Sequence, residues 1–258
     1  MLARRLSALI RRVTAPNPSP MTGPGTNTYL VGTGEVTVID PGPDDPRHIE
    51  AIMAALGRER VSRILLTHSH PDHAPGAAHL ARATGASVLA YPLTLHDGEV
   101  LVRGSATVEV IHTPGHASDH VCFFLREEQA LFSGDLIMSG STVVIAPPDG
   151  DMAAYLRSLE RLRQRAIARI YPGHGEPLDE PAAVIAEYLA HRRMREQQIL
   201  EALRQGPARI PDLVSRIYTD VPPSLHPLAA RSVYAHLLKL RAEGRVDGSD
   251  LLSQWRLI

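Results

Sequence analysis

The sequence predicts an α+β protein in which two β-sheets pack face to face with helices on their outer sides, followed by a smaller C-terminal module. Three observations point there. Short β-branched and apolar runs recur at turn-marked intervals through the first two thirds of the chain. Helical periodicity falls between groups of those runs, the order that two packed sheets with external helices require. Beyond about Pro181 the pattern changes to long helical runs that close on a short terminal strand.

The elements follow in order. Thr28–Gly32 and Glu35–Ile39 are two β-rich runs split by a glycine turn, a hairpin. Ile49, Ile52, Met53 and Leu56 fall at helical spacing within Pro46–Leu56. Arg63–Leu66 is a buried strand that ends at Thr67-His68, a helix is predicted over His73–Ala83, and Ala86–Ala90 is a further strand. Ala106–Ile111, His120–Leu125 and Gln129–Phe132 are short strands, Asp151–Arg165 a helix and Arg169–Tyr171 a strand. A long helix over Ala182–Gln205 breaks at Gly206-Pro207. After it come a helix at Ile210–Tyr218, a Pro222-Pro223 turn, a helix from Pro227 to Glu243 and a short strand, a winged-helix-like order. We place the domains at 1–189 and 190–258.

At 258 residues the chain is long enough to bury a full-sized core. Its 27 Lys and Arg against 28 Asp and Glu give bulk charge no pull toward nucleic acid or membrane. The apolar run near the start, within Met1–Val13, is far too short to span a bilayer or to serve as a secretory segment, and reads as a frayed or strand-forming leader. The single cysteine, Cys122, sits in an apolar strand and can form no intrachain disulfide, which fits a reducing cytoplasm. Thirteen histidines stand beside only three phenylalanines, so histidine spacing is the informative feature.

The densest motif is Thr67-His68-Ser69-His70-Pro71-Asp72-His73, where a buried strand ends. Alternating His68 and His70 suit one cation, and Asp72 and His73 suit a second, because the chain changes direction between the pairs. Three further turns follow β-runs: Pro114-Gly115-His116, Ser133-Gly134-Asp135 and Pro172-Gly173-His174-Gly175. We assign His68, His70 and His116 to a first ion, Asp72, His73 and His174 to a second, and Asp135 as the carboxylate bridging both. Each turn alone is ordinary turn vocabulary, and Asp72 alone reads as a helix cap. Turn chemistry gives no reason to prefer His or Asp at four such ends in succession, so the metal reading prevails. The remaining histidines, His48, His79, His96, His112, His120, His191, His226 and His236, lack this context and read as structural or surface residues. Asp40 reads as a buttress to a metal histidine, and Asn27 as a turn residue or an amide presented to the metals.

In motif and order, these four segments resemble the metallo-β-lactamase superfamily over roughly residues 20–180. The resemblance implies a four-layer αββα sandwich with two metal ions at one edge of the sheets. Gly25-Thr26-Asn27-Thr28-Tyr29-Leu30, the run His191–Ile199 and the tail are similar to the lactamase-β-like-protein branch, which implies a C-terminal winged helix. Some members of that branch are single-strand-specific endoribonucleases.

Two divalent cations about 3.5–4 Å apart lower the pKa of a shared water, so that hydroxide is available as nucleophile at neutral pH. Zinc is the expected ion, although manganese and iron use the same donors. Asp135 and Asp72 are the expected catalytic carboxylates. Three readings follow: a single-stranded RNA endonuclease, a glyoxalase II-like thioesterase or small-ester hydrolase, and a nucleic-acid-binding regulator with structural metal. Arg231, Lys239, Arg241 and Arg245 form a modest basic set for RNA or a solvated helix face. Only 38 residues (136–173) separate Asp135 from His174, which leaves no room for the long insertion of dedicated RNA-processing relatives.

Overall fold

The computed structural model describes residues 3–140 and 142–258, so the first two residues of the expected leader, Met1 and Leu2, lie outside the described residues. The chain forms two compact units that interleave along the sequence. The first takes in the chain up to Thr113 with Asp119–Thr142 and Arg165–Ala182; the second takes in Pro114–Ser118, Val143–Gln164 and Ala183–Ile258. The second unit thus draws in two segments that precede residue 190.

The first unit holds two sheets. One has six strands in chain order: β1 (Arg4–Arg5), β2 (Ile10–Thr14), β3 (Asn27–Val31), β4 (Glu35–Ile39), β5 (Arg60–Leu66) and β6 (Ser87–Ala90). The other, in spatial order β11-β10-β9-β8-β7, comprises β7 (Val100–Arg103), β8 (Ala106–His112), β9 (Val121–Leu125), β10 (Ala130–Gly134) and β11 (Arg169–Pro172). Strands β4, β5 and β6 run parallel, and so do β10 and β11. Parallel neighbours need a crossover, which α1 (Pro46–Leu56) and α2 (Gly76–Thr84) supply in the first sheet.

The period-two alternation of strands sorts the side chains into layers. Tyr29, Val31, Ile39 and Leu65 face Val108, Phe123, Phe132 and Tyr171 in a core between the sheets. The intervening Leu30, Val38 and Ile64 turn the other way, onto Ile49 and Ile52 of α1 and Leu80 of α2. Helix α1 starts where the sequence places it because Asp45 caps it, its carboxylate accepting from the Arg47 amide, and Pro46 occupies the first turn.

One expectation needs correction, and one of the two readings of the leader holds. Helix α2 begins at Gly76 rather than His73, so the whole His68–His73 motif is loop; Asp72 does not cap the helix, whose N-cap position is Pro75. The leader is strand-forming, with β1 and β2 paired to each other and β2 paired to β3. Strand β7 was not legible in advance: its Val102 is 58% exposed, and the pattern of a solvated edge strand is weak.

The second unit contains α3 (Met152–Arg163), most of α4 (Pro181–Arg204), α5 (Ile210–Ile217) and α6 (His226–Ala242). It also holds a small sheet ordered β12 (Ala208–Arg209), β14 (Gln254–Leu257), β13 (Val246–Asp247). Ile199, Leu203, Leu213, Val233, Leu237 and Trp255 share its core. Trp255 is fully buried, with its indole N–H donating to the Asp250 carbonyl at 3.1 Å. Among the described residues no helix is long and apolar enough to cross a membrane.

Trp255 is the sole tryptophan of the chain, so its fluorescence reports unfolding of this unit directly. Replacing it with alanine is expected to cost about 3–5 kcal/mol, measured by urea unfolding followed by circular dichroism. A loss below about 1 kcal/mol would show that the ring does not anchor this core.

Candidate metal centre

The carboxyl ends of parallel strands bring the motif turns together. The loop after β5 carries Thr67–His73, the turn after β10 carries Asp135, and the turn after β11 carries His174. Because β10 and β11 are adjacent and parallel, Asp135 and His174 emerge side by side. Gly173 makes this approach feasible: a Cβ there would stand 2.7 Å from Asp135 Oδ1 and 2.8 Å from His73 Cε1.

Four groups converge closely. His174 Nε2 lies 3.2 Å from Asp72 Oδ2 and 3.3 Å from Asp135 Oδ1. His73 Nε2 lies 3.4 Å from each of the same two oxygens, and the two Nε2 atoms are 3.3 Å apart. The ring of His68 stands 4.3 Å from that of His73 and 4.5 Å from that of His70. Donor atoms of His68, His73 and Asp135 lie within 4.8 Å of one another, and so do those of Asp72, His73 and His174. His116 belongs to the second unit, where its Nδ1 meets the Val144 carbonyl at 3.0 Å.

The tautomers follow from the partners. Thr67 donates its hydroxyl to Asp40 Oδ2 at 2.6 Å, so at 2.9 Å it must accept from His68 Nδ1. His73 Nδ1 donates to Asp40 Oδ2 at 2.9 Å, and His174 Nδ1 faces the Gly25 carbonyl at 3.4 Å. The carbonyl facing His116 likewise only accepts. In each of these four rings Nδ1 is held by an acceptor, which leaves Nε2 as the nitrogen that can ligate a metal once any proton on it is displaced. With carboxylate oxygens beside them, these residues fit divalent cations in chemistry and tautomer.

The electrostatics agree. Burial works to lower the pKa of His174, but its hydrogen bonds to Asp135 and Asp72 outweigh it and raise the ring to about 9. Burial likewise disfavours charge on His73, yet Asp135 and Asp40 hold it well above its ordinary value. Burial would raise Asp135, but the charge on His73 and the hydrogen bond from His174 keep it well below the usual carboxylate range, and Asp72 is lowered on the same pattern through His174 and His73. Protons on the two rings thus supply the positive charge that this carboxylate pair demands.

Several supporting roles differ from expectation. Asp40 is the buttress expected: buried at φ 49°, it also accepts from the Thr67 amide at 2.8 Å. Asn27 does not present its amide to the metals; Nδ2 donates to the Pro172 and Gly175 carbonyls at 3.0 and 2.8 Å, pinning the turn that carries His174. Thr26 beside it, fully buried, donates to Asp72 Oδ2 at 3.3 Å. His120, left among the structural histidines, has its Nε2 accepting from the Asp135 amide at 3.1 Å and its Nδ1 on Thr113 Oγ1 at 3.0 Å. Its signal was only its place at the start of β9, opposite the Asp135 turn.

Two sheets around one core, with His and Asp turns gathered at the strand ends, define a metal-dependent hydrolase of the sandwich type. Residues 21–100 and 89–174 match the metallo-β-lactamase superfamily, and residues 210–255 match the β-lactamase-associated winged helix domain. The chain is 37% identical to the Beta-lactamase-like protein 2 homolog of Drosophila melanogaster, over 94% of this chain and 91% of that one. It is also 37% identical to the atrochrysone carboxyl ACP thioesterase of Aspergillus fumigatus, over 77% of this chain and 66% of the relative. A metallo-β-lactamase family protein from Thermus thermophilus superposes with a TM-score of 0.84 at 25% identity, covering 98% of this chain and 100% of that one. The chain therefore belongs to the metallo-β-lactamase superfamily, with the αββα sandwich and C-terminal winged helix that its sequence pattern implies, and that fold carries divalent metal ions on its His and Asp cluster.

Two outcomes test this geometry. Asp40→Asn removes the charge behind His73 and is expected to weaken metal binding ~10–100-fold, measured by competition with a chromogenic chelator; unchanged affinity would remove Asp40 from the site. The second concerns protons. The raised His174 contributes stability to the metal-free chain that is fully present below pH 6.5 and lost as pH rises through about 9. The chelated protein should therefore lose thermal stability across that window, and metal loading at pH 7.5 should release protons, seen as a buffer-dependent calorimetric heat. A buffer-independent heat with a flat pH profile would contradict the shared-proton arrangement.

Proposed function

We propose that the chain is a two-metal hydrolase of acyl thioesters or related small esters, with Asp135 as the bridging carboxylate, His68, His70 and His116 as the first donor set, and Asp72, His73 and His174 as the second. The observation that carries the reading is that Nδ1 of each ring is held by an acceptor, while Nε2 of His73 and His174 stand together beside Asp72 and Asp135. When bound, the ions make water nucleophilic at neutral pH and polarise the electrophile, with zinc the expected metal. The chain's own residues do the rest. Asp40 and Thr67 hold His73 and His68 in register, and Asn27 holds the His174 turn. To Asp72, whose side chain is 28% exposed against 13% for Asp135, we assign the role of proton acceptor.

The choice of substrate rests on the winged helix and on the relatives. Of the basic set, Lys239 Nζ lies 2.7 Å from Glu196 and 2.8 Å from Glu243, and Arg245 lies 3.4 Å from Glu196. Burial would raise the pKa of Glu196, but His236 and Lys239 bring it down to about 2, so the carboxylate stays charged and neutralises the set. Arg241 donates to the Gly248 and Ser249 carbonyls, which leaves Arg231 as the member of the set with no ion pair or hydrogen bond among the described residues. Phosphate binding would have to compete with these pairs. A thioesterase relative at 37% identity supports the carbonyl substrate. Division of labour at residue 189/190 and a cytoplasmic setting are part of the same proposal.

The experiment is a parallel assay of purified, metal-quantified protein on an S-lactoylglutathione-type thioester and on single-stranded RNA, with His68→Ala as control. Thioester turnover is expected, reduced more than about 100-fold in the control, beyond what loss of an outer partner costs. Salt-sensitive RNA cleavage without thioester turnover would replace this reading with the ribonuclease one.

A further inference from the structure

Among the described residues, His116 is the one grouped metal-ligand candidate that lies in the second unit, where several contacts surround it. The Val144 carbonyl that fixes its Nδ1 lies in the stretch 142–146, which is neither helix nor strand. Helix α4 and helix α6 hold that segment on both sides of Val144. Arg192 of α4 donates from Nη2 to the Val143 carbonyl, and the Ile145 amide donates to Ser232 Oγ of α6 at 3.4 Å. The guanidinium of Arg192 also lies 5.2 Å from the centre of the Tyr155 ring. Tyr155 in turn backs the turn that carries His116: a Cβ on Gly115 would stand 2.3 Å from Tyr155 Cα. The Asp151 amide donates to the Gly115 carbonyl at 2.9 Å, and Ser158 donates to the Pro114 carbonyl at 2.8 Å.

Arg192 is only 2% exposed, and among the described residues no carboxylate pairs with it. A buried guanidinium without a counter-ion is costly, and a packed apolar side chain would fill the same space at lower cost. What the cation does instead is hold a carbonyl in place and stack on the ring behind the His116 turn.

We propose that Arg192 and Ser232 are positioning residues for His116, and that helices α4 and α6 serve as a brace that sets its imidazole with Nε2 as the donor nitrogen. The role rests on the two-cation reading above. It gives the winged helix a function within the chain that needs no nucleic acid. It also gives a physical reason for the arginine in the His191–Ile199 run, which the substrate argument leaves unused.

The test is metal binding by the full-length protein, titrated with zinc against a competing chelator and with cobalt followed by its absorption spectrum. Arg192→Met keeps the apolar stem and removes the donor; Arg192→Lys restores a donor; Ser232→Ala removes the second hold. Wild type is expected to take up two ions. In Arg192→Met one ion should loosen ~10–100-fold with an altered cobalt spectrum, while the other keeps its affinity. Arg192→Lys should recover part of the loss, and Ser232→Ala should show a smaller loss in the same ion. A general packing defect would loosen both ions alike, and that result, or two unchanged affinities, overturns the proposal. Should Arg192→Met not fold, the lysine and serine variants decide by the same criterion. A wild-type protein that binds a single ion instead overturns the two-cation reading and the brace with it.

Discussion

The buried carboxylate of Asp40 is the constraint on which the His and Asp turns of the first unit depend. It closes β4, and its two oxygens accept from the Thr67 amide, the Thr67 hydroxyl and His73 Nδ1. An ionised group in that position is tolerable only when its hydrogen bonds are made, because an unpaired buried charge costs several kcal/mol. The same requirement therefore ties the end of β4 to the end of β5 and to the motif loop. It also explains why the backbone accepts φ 49° at a non-glycine residue, a strain of about 1–3 kcal/mol that the surrounding bonds must overcome. From Asp40 the order propagates outward: Thr67, held as a donor, must accept from His68, and His73, held by Nδ1, must present Nε2.

That chain of donors and acceptors accounts for what could be read in the sequence and what could not. The two sheets, α1 and the four motif turns were legible because each is local: period-two strands, an Asp-Pro cap, and His or Asp at the ends of β-runs. The role of Asp40 was legible in kind, since a carboxylate at a strand end near a histidine motif has few other uses. His120, Thr26 and Asn27 were not. Their partners lie 15, 46 and 145 or more residues away, and nothing in a lone histidine or a Gly-Thr-Asn turn says which distant turn it will face. The start of α2 was misplaced for a related reason. Helical spacing extended back to His73, but hydrogen bonds from His73 and Ala74 to the His70 carbonyl and from Gly76 to Gly42 hold these residues as loop.

The C-terminal module shows a similar gap between composition and structure. Four cations near the last helix look like a phosphate surface when counted, yet Glu196 sits among them and satisfies two. Lys239 and Arg245 reach Glu196 from 43 and 49 residues away, a closure that no local charge pattern displays. Counting charges describes the chain; the pairing of those charges decides what remains for a ligand.

These observations bear on why a winged helix should accompany a metallo-β-lactamase sandwich at all. A donor set gathered from several turns is only as precise as the least supported turn, since affinity falls steeply when an imidazole can swing. The turns after β5, β10 and β11 are braced within their own unit by Asp40, His120 and Asn27. The Pro114–Ser118 turn belongs to the second unit and has its contacts there, with Ser158, Tyr155 and the segment that Arg192 and Ser232 hold. On the proposed reading the tail supports the His116 turn, and any use of its outer surface for substrate is a separate matter from its use as scaffold.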